Sequence, residues 1–189
     1  MGFFDSKKNV EDYIKMVEGS DGSELIDTLK TYVASGRSVL EIGMGPGKDL
    51  DILSKSFTAI GSDNSQVFLD LYHEKNPGAD LMLLDAVRMD TERTFDCIYS
   101  NKVLHHLTQK ELEQSLKKQR QVVKDNGILF HSFWHGDKIE FHHGLRFTFY
   151  TEETIFPMIP KGLKILEFTV YKEFEKNDSF YLVLQKLPR

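Results

Sequence analysis

From Ser38 to Trp134 the chain alternates short apolar runs with stretches of helical spacing, and this rhythm restricts the possible folds more than any other feature. "SVLEIG" reads as a buried strand, Lys48 to Ser56 as a helix and "FTAIGSD" as a second strand. "SQVFLDLYHEK" follows as a helix, with "DLMLLDA" and "FDCIYSN" as the third and fourth strands. "TQKELEQSLKKQRQVVKDNG" reads as a charged-faced helix ending at Gly127, and "ILFHSFW" as the fifth strand. Such alternation indicates a mainly parallel sheet with helices on both faces. Near the C-terminus the rhythm changes, because "LKILEFTVYKEF" and "SFYLVLQKL" are strand-like runs joined by "EKNDS" without a helix, the signature of a hairpin.

Two further segments flank this frame. Residues 1–36 carry apolar positions at helical spacing in two stretches, broken near Gly19 to Gly22 and closed by Gly36. They are expected to form helices that act as a lid over the ligand edge or pack as plain amphipathic elements. Residues 136–160 form an insertion too long and aromatic for a connector, placed on the substrate side. With 189 residues and 40% apolar content, residues 1–189 suit a single domain with a full core.

Within the frame, "VLEIGMGPGKDL" places Gly43, Gly45 and Gly47 at alternate positions in the first strand-to-helix turn. In an open α/β sheet that turn lies at the carboxyl edge, where ligands bind, and glycines let a ligand approach bare backbone. The spacing GxGxG differs from the dinucleotide pattern GxGxxG, whose third glycine would fall at Lys48, and no P-loop Gly-Lys-Ser/Thr is present. Asp63, ending the second strand, can accept both hydroxyls of a ribose, and Asp85, ending the third, can accept an adenine amine while neighbouring backbone satisfies a ring nitrogen. For either acid the alternative is a solvated strand end or a cap. Glu41, two residues before Gly43, can organise the turn by accepting backbone N–H groups.

The net charge of −5 argues against a large electrostatic footprint for nucleic acid and leaves small molecules as the expected partners. Cys97 is the sole cysteine, which excludes an internal disulfide and a cysteine-built zinc site and suits a reducing compartment. No apolar run reaches membrane-spanning length and the N-terminus lacks a secretory signal pattern, so a cytoplasmic location is expected. "MGFFDS" places Gly2 and Ser6 at myristoylation spacing, a pattern short enough to recur by chance. Nothing in the sequence sets an oligomeric state.

In that order and at those intervals, "VLEIGMGPGKDL", "IGSDNS", "LLDAVRMD", "FDCIYSNKVLHHL" and "NGILFHSFW" resemble the class I S-adenosylmethionine-dependent methyltransferases. The resemblance covers roughly residues 38–134. It implies a Rossmann-like α/β fold with a seven-stranded mixed sheet of order 3-2-1-4-5-7-6, strand 7 antiparallel. It also implies S-adenosylmethionine as methyl donor and S-adenosylhomocysteine as product. The implied cofactor contacts fall on Glu41, Gly43, Gly45, Gly47, Asp63, Asn64, Asp85, Ala86, Ser100 and Asn101. Family members acting on nucleobase amines carry an Asp/Asn-Pro-Pro-aromatic motif after strand four, whereas this chain reads "SNKVLHHL", which points to a small-molecule acceptor. An NAD-dependent oxidoreductase is the alternative, and a non-catalytic nucleoside-binding domain of the same fold is a third reading.

Methyl transfer asks mainly for positioning, so a base is needed only when the acceptor must lose a proton. The candidates are His105 and His106, which open the segment after strand four, and Tyr150. His131 and His135, four apart on strand five, are expected to share a face that Phe133 does not, with only His135 near the ligand edge. No metal site is expected, since the histidines lack carboxylates at ligand spacing. Tyr13, His135, His143 and Arg146 are the candidate substrate contacts, Arg146 as partner for an acceptor carboxylate or phosphate, among the aromatics Phe141, Phe147, Phe149 and Tyr150.

Overall fold

The computed structural model describes residues 4, 6–19 and 21–188; Gly2 and its acylation spacing lie outside them. The helices are α1 (Lys7–Met16), α2 (Ser23–Leu29), α3 (Lys48–Leu53), α4 (Gln66–Lys75), α5 (Gln109–Val122) and α6 (Glu152–Ile155). The strands are β1 (Ser38–Ile42), β2 (Thr58–Asp63), β3 (Leu81–Leu83), β4 (Phe95–Asn101), β5 (Val123–Trp134), β6 (Ile139–His142), β7 (Leu145–Thr148), β8 (Leu163–Tyr171) and β9 (Ser179–Lys186). Seven of them form one sheet in the order β3-β2-β1-β4-β5-β9-β8, and β6 pairs only with β7. The first five strands run parallel to one another, whereas β9 is antiparallel to both β5 and β8. This is the expected order, with the insertion's own hairpin advancing the last two strand numbers to eight and nine.

Burial follows the pleat. Alternate residues of β1 and β5 face opposite layers: Leu40, Ile42, Leu129 and Phe133 pack with Leu112 and Leu116 of α5, while Val39, Ile128 and Phe130 pack with Ile26 and Leu29 of α2 and Leu53 of α3. A smaller cluster joins Leu69 and Tyr72 of α4 to Met44 and Leu50. Of the N-terminal segment, α2 is therefore a core helix, and α1 buries only Val10.

Two expectations are corrected. The helix expected to reach Gly127 stops at Val122, and β5 begins at once with Val123 in an extended conformation. Gly127 serves a bulge in β5 instead: the register slips between Phe95 and Cys97, and a Cβ on Gly127 would lie 2.8 Å from the Asp96 carbonyl. Phe133 shares the face of His131, because strand side chains alternate with period two; the two rings lie 6.5 Å apart, edge to face. The third strand is also short, since the chain turns at Asp85, whose Oδ1 accepts the N–H groups of Val87 (2.7 Å) and Arg88 (3.1 Å).

Candidate active site

Because β1, β2, β3, β4 and β5 are parallel, their carboxyl ends bring Gly43, Asp63, Asp85, Asn101 and Trp134 to one edge of the sheet. Gly43, Gly45 and Gly47 all have positive φ, the region L side chains avoid. Their surroundings differ. A Cβ on Gly47 would lie 2.2 Å from the Tyr72 ring, so this glycine is required by packing at the start of α3. A Cβ on Gly45 would meet only Tyr13, at 3.9 Å, leaving open space against bare backbone.

Carboxylates surround this loop. Asp63 is buried, its Oδ2 accepting the Gly45 N–H at 2.9 Å and its Oδ1 the Ser65 N–H at 2.9 Å. Each oxygen retains a lone pair for a further donor. Burial raises the Asp63 pKa, and bonds from the Ser65, Gly45 and Asn64 backbone oppose the shift. Glu41 is buried, with one carboxylate oxygen lacking any hydrogen bond. Its pKa is raised well above the ordinary value by burial and then by the charges of Asp49, Asp63 and Asp51. Asp49, at the start of α3, accepts from the Gly22 N–H (2.6 Å), the Tyr99 hydroxyl (2.8 Å) and the Asn101 amide (3.1 Å), tying the N-terminal segment and β4 to the loop. Tyr13 of α1 stands over the glycine loop, its ring against Phe4 and Phe68, and burial raises its pKa with Asp63 and Asp49 adding to the shift.

The remaining expected cofactor contacts divide by strand alternation. Asp85 caps its turn and lies 3.7 Å from Arg88 Nε, while Asn64 is exposed beside Asp63. Asn101 faces the loop through Asp49, whereas the Ser100 side chain enters the opposite layer and bonds His131 Nδ1 at 2.8 Å. From there a chain of buried bonds runs through His131 Nε2 to Gln119 Oε1 (2.8 Å), Gln119 Nε2 to Ser115 Oγ (3.0 Å) and Ser115 Oγ to the Ala86 carbonyl (2.6 Å). Gln119 Oε1 can only accept, which places a proton on His131 Nε2, and in the neutral ring Nδ1 accepts from the Ser100 hydroxyl. Burial pushes the His131 pKa down to about 3, which keeps it neutral. Ser100 and Ala86 are thus joined through the core, a relay that no local motif announces.

Beyond β4 and β5 the edge becomes aromatic. His105 and His106 lie on a short 3-10 turn, Leu104–His106, with β7 packed over it. His106 Nδ1 donates to the Arg146 carbonyl at 2.6 Å. His105 is 2% exposed and neither of its ring nitrogens has a partner. Burial, the neighbouring His106 and Lys102 lower its pKa well below the usual imidazole range. Phe147 stacks on it at 5.1 Å, and Trp134, whose buried indole N–H is also unpartnered, lies 6.3 Å away. The buried Tyr150 hydroxyl has no hydrogen-bond partner, and burial raises its pKa, with Thr148 and Arg146 opposing the shift.

The other substrate candidates are not gathered with these. His135 Nδ1 donates to the Asn177 carbonyl at 2.9 Å, and His143 occupies the exposed turn between β6 and β7 with φ of 52°. Arg146 donates to the Thr148 hydroxyl (2.9 Å) and lies over the Phe141 ring. Among the described residues no three His, Cys, Asp or Glu side chains are grouped to hold a metal ion.

Lys102 and Trp134 were missed from sequence. Lys102, at φ 53°, places its ammonium 3.9 Å over the Trp134 ring, 2.7 Å from Glu173 and 2.6 Å from the Ser179 hydroxyl. Burial lowers its pKa, and Glu173 opposes the shift. Its only local signal is its place right after strand four, and Glu173 is supplied by a distant hairpin.

Residues 39–127 match the methyltransferase domain family. This stretch is a methyltransferase domain. It is 31% identical over 93 residues to an uncharacterised methyltransferase from Oceanobacillus iheyensis, covering 48% of this chain and 44% of that protein. A 37.1 kDa uncharacterised transposon protein from Streptomyces fradiae is 30% identical over 102 residues, covering 50% and 29%. The matches therefore span less than half the length of these curated relatives. Among solved structures, an S-adenosylmethionine-dependent methyltransferase from Clostridium acetobutylicum superimposes with TM-score 0.77 at 15% identity, covering 96% of this chain and 98% of that one. The N-methyltransferase NodS from Bradyrhizobium japonicum, solved with S-adenosylhomocysteine, gives 0.73 at 13% identity, covering 96% and 98%. A 1,6-didemethyltoxoflavin N1-methyltransferase from Burkholderia thailandensis gives 0.76 at 14%, covering 95% and 87%. The fold is that of the class I methyltransferases. The methyltransferase domain holds the glycine loop, Asp63, Asp85 and His105, while Trp134, the insertion and the terminal hairpin lie beyond its matched residues.

Proposed function

We propose that the chain is a cytoplasmic S-adenosylmethionine-dependent methyltransferase that acts on a small-molecule acceptor. The observation that carries the reading is the buried Glu41 and Asp63 pair beside the open backbone of Gly45, with one Glu41 oxygen unpartnered. A buried acid whose pKa is raised by burial and by the acids around it suits a cationic ligand, which favours its charged form. S-adenosylmethionine, when bound, supplies a methyl group already activated on a positively charged sulfur. Glu41, Gly43, Gly45 and Gly47 would receive its methionine part, Asp63 and Asn64 its ribose, and Asp85 and Ala86 its adenine, with Ser100 and Asn101 at the β4 end. Ser100 would act through its backbone, since its hydroxyl is held by His131. NAD is disfavoured by GxGxG spacing, and no feature of the site favours it.

On the acceptor side, His105, His106 and Tyr150 are the candidates for proton handling, with His135, His143 and Arg146 around the insertion. His106 is engaged with the Arg146 carbonyl, so His105 is the better base. One similar structure is an amino pentose methyltransferase and another acts on 1,6-didemethyltoxoflavin, both small molecules. Turnover supports the reading if the protein releases S-adenosylhomocysteine from S-adenosylmethionine in the presence of a metabolite mixture. Binding of S-adenosylhomocysteine without turnover over a broad screen would favour the non-catalytic reading.

A further inference from the structure

Among the described residues, five side chains have a buried polar atom without a hydrogen bond, and the rings of two of them, His105 and Trp134, lie 6.3 Å apart beyond β4 and β5. Leaving such groups unpaired costs about 1–3 kcal/mol each, so a site that keeps two together is built for something that completes them. Around them the surfaces are rings: Phe147 stacks on His105 at an interplanar angle of 30°, and Phe174 stacks on Trp134 at 26°. No free carboxylate joins them, since Glu173 is paired with Lys102 at 2.7 Å. A cationic amine would find no counter-ion there, and a sugar would find only three ring nitrogens for its many hydroxyls.

Resting on the methyltransferase reading above, we propose that the methyl acceptor is a planar aromatic or heteroaromatic molecule with an N–H or O–H, seated on His105 and Trp134. The β6–β7 hairpin covers this seat: Phe147 takes the stacking position on His105, and the hairpin is anchored to the turn by the His106 bond to the Arg146 carbonyl. The acceptor ring enters by displacing Phe147, whose hairpin also carries the exposed Phe141, while the exposed Phe174 lies against Trp134. Trp134 then donates its indole N–H to an acceptor atom of the ligand. His105 takes the proton that leaves the ligand's N–H or O–H as the heteroatom forms its bond to the methyl carbon and the methyl–sulfur bond breaks. Imidazole becomes imidazolium, the sulfonium becomes a neutral thioether, and charge balances. Burial with His106 and Lys102 beside it keeps His105 neutral before the transfer, so a ring nitrogen has a lone pair to receive the ligand's N–H or O–H.

Trp134 is the single tryptophan of the chain, so its emission reports on this seat directly. Protein first shown by calorimetry to bind S-adenosylhomocysteine is titrated, in its presence, with benzimidazole, phenol, ethanolamine and glucosamine. The expected result is a saturable change in Trp134 emission with benzimidazole or phenol and none with the two aliphatic amines. His105→Phe, which keeps a stacking ring without nitrogen, should weaken that binding about tenfold, the size of one hydrogen bond. His105→Gln, which retains hydrogen-bonding atoms, should weaken it less and serves if the first variant does not fold. Silence with both aromatic probes, saturation by ethanolamine or glucosamine, or unchanged affinity in the His105 variants overturns the proposal. Failure of S-adenosylhomocysteine itself to bind overturns the methyltransferase reading instead.

Discussion

At the ends of β1 and β2 the groups around the cleft are carboxylates and bare backbone, whereas at the ends of β4 and β5 they are rings and a caged lysine. The acids and glycines of the first region lie within 23 residues, Glu41 to Asp63, and Asp63 is held by the backbone N–H groups of Gly45 and Ser65. The second draws Lys102, Trp134, Phe147 and Glu173 from four separate elements, and leaves His105 and Trp134 unpaired. On the proposed function, one half of the edge would be a fixed receptor for a ligand of set shape. The other half is a lined space whose content depends on which insertion covers it.

The largest expected effects separate packing from binding inside the first region. Gly47→Val would drive a side chain into the Tyr72 ring at a left-handed φ, and should cost about 4 kcal/mol of stability or prevent folding. Gly45→Val meets open space, so its cost should be confined to about 1–3 kcal/mol of backbone strain while S-adenosylhomocysteine binding is lost. Thermal unfolding without ligand, run beside calorimetry, distinguishes them. Equal behaviour of the two variants would break the distinction between a packing glycine and a ligand-facing one.

Next in size is Asp63→Ala, which should weaken the cofactor by about 2–4 kcal/mol if two charge-assisted ribose bonds are lost. Calorimetry on a folded variant reads this directly, and an unchanged dissociation constant would remove the ribose role. Gln119→Leu tests the relay that links the regions through the core. It should cost about 1–3 kcal/mol in urea unfolding, because His131 Nε2–H loses its acceptor and Ser115 loses a donor.

How much of this the sequence disclosed follows from the same contrast. The alternating strands and helices, the terminal hairpin, the loop and the two strand-end acids were legible because glycine spacing and apolar alternation are local properties of the chain, whereas the strand order came only with the family resemblance. The relay from Ser100 to Ala86 was not, since Gln119 reads as an ordinary helix residue and only the packing of α5 on β5 brings it to His131. Lys102 was missed for a like reason: lysine is usually solvated, and nothing near it in sequence signals the distant Glu173 that pairs with it. The early end of α5 was hidden because Gly127 is as natural a helix stop as a bulge.

A smaller effect concerns pH. Glu41 and Asp63 have folded-state pKa values raised mainly by burial. Carboxyls raised on folding contribute stability below their unfolded pKa and lose it as pH rises through the folded values. The unliganded protein should therefore lose stability as pH climbs through the raised titration of these acids. A sulfonium ligand should bind more tightly over the same interval and release protons as it does so. Calorimetry in buffers of different ionisation enthalpy measures that release, and proton uptake would contradict it. Smallest of all, Phe141→Ser on the exposed hairpin should change stability by no more than about 0.5 kcal/mol. A larger loss in urea unfolding would mean that the hairpin is part of the core and not a cover.

On the proposed function, Glu41, Gly45 and Asp63 form a receptor for S-adenosylmethionine and its product. Isothermal calorimetry of the purified chain with S-adenosylhomocysteine, and in parallel with NAD, tests it most directly. The account predicts saturable binding of S-adenosylhomocysteine and none of NAD; NAD binding as tightly as S-adenosylhomocysteine, or tighter, would contradict it.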